Sequence, residues 1–301
     1  MTQDNNKGLK GAVRSGTDPK AFASIMANHE HSHLSDKYQF IPTTKIIDIL
    51  AKQGWDPVMA QEKRVRNEDR EGFQKHLIRF RQDGAQAIDG IFPEVLLTNS
   101  HDGSASFVFM AGLFRLVCTN GLIVSNGMFG SIKVRHMNFQ QSDVIEAVDR
   151  VVEDTPKLLE HVDIYQSIQL SRQEQYAFAE SSLNMKFKKE GSKTIGIDVR
   201  GMPTDKTGLY ELEDRRFNLN TLLTPLRGAD HEPSLWNTFN IIQEKFIKGG
   251  IFEDTVRPNA NPRISPTHVS KVRDIKGIDE SIRVNKELWG LTEAMAKLKA
   301  A

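Results

Sequence analysis

The sequence predicts an α+β protein: an antiparallel β-meander packed on a long helix, followed by a helical C-terminal region. Three observations lead there. The dipeptides Asp102-Gly103 and Asn120-Gly121 each sit between short apolar runs, and both tolerate the positive φ that a hairpin turn needs. From Ser142 to about Ile168, apolar residues recur at helical spacing. The last third repeats that spacing in separate segments, around Trp236 and around Leu288.

Taken in order, residues 1–36 are rich in Gly, Asn, Ser and His and lack periodicity, which reads as a flexible N-terminal arm. His29, His31 and His33 alternate within it, and a solvated polar tail fits them better than metal capture. A central α+β domain is expected over 37–185. It opens with a short strand and a helix in "YQFIPTTKIIDILAKQGW", with Thr43 or Thr44 as N-cap, Ile46, Ile47 and Leu50 on one face and Gly54 at the end. A hairpin follows, from about 58–66 to 73–82, with a charged loop at 67–72. Next come "PEVLLTN" and "SASFVFMAG" joined at Asp102-Gly103, then "LFRLVCT" and "LIVSNG" joined at Asn120-Gly121, then "GSIKVRHM".

The long helix carries Val144, Ile145, Val148, Val151, Val152, Leu158, Leu159 and Val162, with Pro156 expected to kink or interrupt it. A second helix is expected in "SRQEQYAFAESSLNM". Residues 186–301 form a loop and helical region. It holds a strand-like "TIGIDVR", helices around Leu222, Trp236 and Leu288, and a proline-rich connection, "RPNANPRISP". Trp236, Phe239, Ile242 and Phe246 are expected on one face, as are Leu288, Leu291, Met295 and Leu298.

Composition narrows the function. The 301 residues are 39% apolar and 26% charged, with a formal net charge of +1, so a polyanion-binding surface must come from segregating charge onto one face. One cysteine excludes an intrachain disulfide and a multi-cysteine zinc site. The N-terminus has no apolar core resembling a secretory signal, and no apolar run is long enough to span a bilayer, so a cytoplasmic location and no membrane partner are expected.

Ser100, His101 and Asp102 are consecutive, so on an extended chain their side chains alternate between faces and cannot form a relay. Cys118 lies in an apolar run and reads as core. His76, His101, Asp102 and His136 lie in or beside predicted strands, and a metal-dependent enzyme built on them is one rival reading. "GSKT" at 191–194 lacks the upstream glycine of a phosphate loop.

Charge geometry remains. In the second strand of the first hairpin, Lys75, Leu77, Arg79 and Arg81 alternate with His76, Ile78 and Phe80, so one face is expected to be apolar and the other to carry three cations. Arg64, Arg66, Arg115, Lys133 and Arg135 also lie on or beside predicted strands, as does Lys63. A cationic sheet face suits a nucleic-acid backbone, and an ordinary solvated face with salt bridges would look the same. Phe107, Phe109 and Phe114 could stack on bases only where they are not core.

The strings "NSHDGSASFVFMAGLFRLVCTNGL", "YQFIPTTKIIDILAKQGW", "FQKHLIRFR" and "VNKELWGLTEA" resemble the phage- and plasmid-encoded proteins of unknown function labelled phage/plasmid-like, from about Tyr38 to the C-terminus. That resemblance implies a bacterial mobile element and transfers no residue role. At the level of fold, a meander followed by a long helix is similar to the RecT, Erf and phage Red-beta single-strand annealing proteins, which hold single-stranded DNA in rings or filaments.

The expectation is therefore a non-enzymatic, mobile-element DNA-binding protein, with no cofactor and no metal. It would favour single strands, act in annealing during recombination or replication, and assemble as a homo-oligomeric ring or filament. Arg79, Arg81, Arg115, Lys133, Arg135, Lys75, Arg64 and Arg66 would contact phosphates. Asn99, His101, Asp102, Gly103, Asn120 and Gly121 would hold the turns. An anti-defence protein that binds a host restriction or CRISPR component is the other rival.

Overall fold

A computed structural model describes residues 13–35, 38–65, 67–88, 90–115, 121–124, 131–134, 140–186, 219–255, 268–272 and 274–300. The chain divides into two compact units: Met1–Glu160 with Lys276–Lys286, and His161–Ile275 with Glu287–Ala301. The α+β class holds.

The first unit is built on a seven-stranded antiparallel sheet. Its strands are β1 (Val13–Gly16), β2 (Trp55–Lys63), β3 (His76–Gln82), β4 (Ile91–Asn99), β5 (Phe107–Arg115), β6 (Gly121–Val124) and β7 (Ile132–Val134). They run in the order β1-β2-β3-β4-β5-β6, and β7 also pairs with β5. Because successive strand residues point to opposite faces, the register sorts the side chains. His76 opposite Asn99, Ile78 opposite Leu97 and Phe80 opposite Val95 share one face with Phe107, Phe109 and Ala111. Leu77 opposite Thr98 and Arg79 opposite Leu96 share the other with Met110, Val108 and Lys133.

Neither face is bare at its centre. Ile78, Phe80, Leu97, Phe107 and Phe109 are wholly buried on the His76 face. On the Arg79 face, Leu77, Leu96 and Met110 close a core cluster with Ile278, and Met59, Val108 and Ile282 pack around it. Ile278 opens the last helix. The expected division into one apolar and one solvated cationic face therefore does not hold, since apolar residues alternate with the cations and need their own cover.

Helix α1 (Thr43–Lys52) buries Ile46, Ile49 and Leu50, whereas Ile47 is only half-buried. Its N-cap position is Pro42, and neither Thr43 nor Thr44 caps it; Thr43 is inside the helix and its hydroxyl is engaged elsewhere. Gly54, at φ 78°, turns the chain straight into β2. The stretch read as a flexible arm also departs from expectation. Residues 13–16 pair with β2, and Phe22, Ser24 and Ile25 are buried. Lone apolar side chains were enough to anchor it, without any periodic pattern.

Asp102-Gly103 turns the β4–β5 hairpin as predicted, with Gly103 at φ 72°. Gly121, by contrast, is a strand residue opposite Phe114, not a turn residue, and Asn120 lies outside the described residues. Helix α2 (Gln141–Ser167) continues through Pro156 without interruption, burying Val144, Val148, Val151, Leu158 and Val162.

The second unit is mainly helical. It holds α3 (Arg172–Lys186), α4 (Leu235–Lys248) and the end of α5 (Ile278–Ala300), with a hairpin of β8 (Gly250–Thr255) and β9 (His268–Val272) that the sequence reading missed. Ser234 caps α4 by accepting from the Asn237 N–H at 3.1 Å. Trp236 stacks on Phe239, and Trp289 meets both Phe239 and Tyr165 edge-on, which fills this core with aromatic rings. Leu288 and Trp289 are wholly buried, but Leu298, expected on the same face, is 72% exposed. The "TIGIDVR" and "GSKT" stretches, Cys118 and the run at 257–266 lie outside the described residues.

Candidate nucleic-acid interface

Two clusters of polar side chains are built on the sheet, one on each face. On the His76 face, the hydroxyl of Thr43 is a hub. It lies 2.9 Å from His76 Nε2, 3.2 Å from His101 Nε2 and 3.1 Å from the Asn99 side-chain amide. The tautomers follow from the partners. His76 Nδ1 faces the Gln74 carbonyl at 3.2 Å and must donate, so its Nε2 accepts from Thr43. Thr43 oxygen is then left to accept from Asn99 and from the Nε2–H of His101. All four side chains are fully buried. Burial pushes the His76 imidazole down to about 4, against the pull of the Gln74 carbonyl and Asp102.

The neighbouring turn is tied down residue by residue. Ser100 Oγ accepts from the Ala105 N–H at 2.9 Å, and Asp102 Oδ1 accepts from the Ser104 N–H at 3.0 Å. The His101 N–H donates to the Phe73 carbonyl, and its own carbonyl accepts from His31. Burial opposes the charge on Asp102, but hydrogen bonds from Ser104 and Ser100 and the nearby Arg70 hold its carboxyl below the usual range. These hydrogen bonds hold the loop in place. His136 lies outside the described residues, and among those described no group of three or more His, Cys, Asp or Glu is placed to hold an ion.

On the Arg79 face, both arginines of β3 converge on Glu94 of β4. Arg79 Nε donates to Oε2 at 2.5 Å; Arg81 donates to Oε1 through Nη2 at 2.8 Å and Nε at 3.2 Å. The Arg79 side chain is 8% exposed and Glu94 only 1%. Arg79 is thus a buried ion-pair partner, a correction to its expected role as an exposed phosphate contact, because a buried guanidinium requires its counter-charge. Arg81 is partly exposed and lies over Phe92, its Cζ 3.8 Å from the ring centroid. Phe114 completes the array, 4.4 Å from Arg79 Cζ and 5.2 Å from Arg81 Cζ. Phe107 and Phe109 are core.

Further along this face, Lys63 and Lys75 share Asp279, at 3.9 and 2.5 Å. Burial pushes Lys286 down, and the charge of Lys75 adds to that shift. Lys133 is exposed on β7 on the same face, whereas the register puts Arg115 on the opposite one, beside Ile91. Arg64 is exposed just beyond β2; Arg66 and Arg135 lie outside the described residues.

A family model described as a domain of unknown function, DUF932, matches residues 30–289. The chain belongs to the DUF932 family. This DUF932 chain is 32% identical over 272 residues to the UPF0380 protein YafZ of Escherichia coli strain K12, covering 90% of the chain and 87% of that relative. To the UPF0380 protein YfjQ of the same organism it is 31% identical over the same shares. No solved structure matches. Among the described residues of this DUF932 member, no helix is long and apolar enough to cross a membrane.

Sequence reasoning passed over Glu94, Phe92, Asp279 and Lys286. A glutamate inside the apolar run "IFPEVLL" was the available signal. An acid in a buried strand demands a cationic partner, and Arg79 and Arg81 were one hairpin away.

Proposed function

We propose that this DUF932 chain is a non-enzymatic DNA-binding protein of mobile elements. It holds single strands through cations of the Arg79 face and serves annealing in recombination or replication as a homo-oligomer. One observation carries the reading. Lys63 and Lys75 both pair with Asp279, and Lys286 stands near enough for the charge of Lys75 to reach it, so cations gather at one edge of the sheet. A phosphate backbone supplies anions for them and gains from releasing its own counterions. Exposed Lys133 stands on the same face, in a hollow that it shares with Asp143, Glu146 and Arg150 of α2, and adds a further cation there. The preference for single strands is supported by the similarity of a meander followed by a long helix to the annealing proteins.

The test is titration of the full chain with a fluorescent single strand across a salt series, with particle mass measured in parallel. Affinity should fall with salt, with a logarithmic slope of roughly −0.7 per phosphate contacted. Lys63→Gln combined with Lys133→Gln should weaken binding to all sequences alike and flatten that slope, while the thermal midpoint changes little because both side chains are exposed. A folded sample that binds no single strand at low salt would end the proposal.

A further inference from the structure

We infer that Phe92, Arg81 and Phe114 form a seat on which a nucleobase stacks; this rests on the single-strand reading above. Phe92 and Phe114 are directly opposed in the β4–β5 register, so both rings stand on the Arg79 face. The Arg81 guanidinium lies over the Phe92 ring at 3.8 Å and within 5.2 Å of Phe114. Its plane is fixed, because Nε and Nη2 both bond to one oxygen of Glu94 while Arg79 occupies the other.

A salt bridge made only for stability has no need of surface access, yet this array has it. The Arg81 side chain is 23% exposed, and both phenylalanines are only half-buried. The result is a guanidinium held over the Phe92 ring and beside Phe114, with access to solvent at the sheet surface. Its chemistry selects the occupant. Arg79 and Arg81 meet one buried carboxylate, Glu94, and exposed Asp56 stands across from Arg81 in the β2–β3 register, so a guanidinium plane open to solvent favours a planar π-system attached to a polyanion over an apolar segment. Nucleobases stack on arginine planes and aromatic rings whatever their sequence, and each good stack strengthens binding by about tenfold or more. The array therefore holds bases, while the lysines at the Asp279 end hold backbone.

Two strands of equal length separate the seat from the phosphate contacts: oligothymidylate, and an abasic strand of the same length. The wild-type chain should bind the base-bearing strand about tenfold more tightly. Phe92→Leu with Phe114→Leu should erase that preference and leave the salt slope unchanged. Arg81→Lys keeps the charge but loses the plane and should do the same, which covers the case in which the double variant fails to fold. A strand carrying 2-aminopurine should lose fluorescence on binding the wild type and not the variants. Equal affinity for the two strands in the wild type, or a preference that survives Arg81→Lys, overturns the seat and leaves DNA binding standing. Failure of the wild type to bind either strand overturns both.

Discussion

The hydroxyl of Thr43, at the start of α1, stands 2.9 Å from Nε2 of His76 on β3 and is wholly enclosed. This oxygen joins the helix to the sheet, serving His76, His101 and Asn99 at once. Thr43→Val keeps the shape and strips the hub of all three partners. The expected loss is about 2 kcal/mol in urea unfolding, because buried donors and acceptors are left unmet. Thr43→Ser should recover most of it.

Acid should weaken the same region. His76 is held near 4 in the fold by burial, against about 6.5 in an unfolded chain. Between those values the unfolded chain binds the proton and the folded one does not, so stability falls as the pH drops through that window. The penalty is absent above about 6.5, and fully developed below about 4, on the order of 3 kcal/mol. Urea midpoints measured from pH 7 to pH 4 should trace it. His76→Gln should flatten the profile there; an unchanged profile in that variant would place the acid sensitivity elsewhere.

Arg79 and Glu94 should behave as a buried pair. Arg79→Ala leaves a carboxylate without one of its two partners in a site with almost no solvent, and a loss of roughly 3 kcal/mol is expected. Arg81→Ala should lose less, since its side chain is partly exposed. Thermal midpoints of the two variants, compared side by side, check the order.

Gly103 combines two constraints. Its φ is 72°, and a Cβ there would sit 2.7 Å from Leu34 Cδ2. Gly103→Ala should lower stability by about 1 kcal/mol or more. Adding Leu34→Ala should relieve the crowding and leave the backbone strain, so the double variant should regain only part of the loss.

What the sequence made legible was local. Period-2 alternation, the Asp102-Gly103 turn and the apolar spacing from Val144 to Val162 were enough to place most of the meander and the long helix. Arg79 was misplaced because its surroundings are not local. Glu94 comes from the next strand, and the apolar cover on its face comes from Ile278, far along the chain. Asn120-Gly121 has ideal turn chemistry, but the β5–β6 register makes Gly121 a strand residue. The hub at Thr43 was hidden for a related reason: the threonine reads as a helix cap, and only the pairing of His76 with Asn99 brings its partners to it.

The cover over Leu77, Leu96 and Met110 has a consequence for how the protein is made. Asp279, which anchors that helix end to Lys75, follows it by 204 residues. A ribosome therefore completes the whole sheet and most of the second unit before Ile278 exists to close this face. Until then three large apolar side chains face water on a nascent sheet, the kind of surface that chaperones hold and that drives aggregation when they do not. Closing so long a loop is slow, so the last stretch of synthesis, not the first, sets when the sheet is sealed. A chain terminated before Lys276 would carry every strand of its sheet and still expose the face that Ile278 seals.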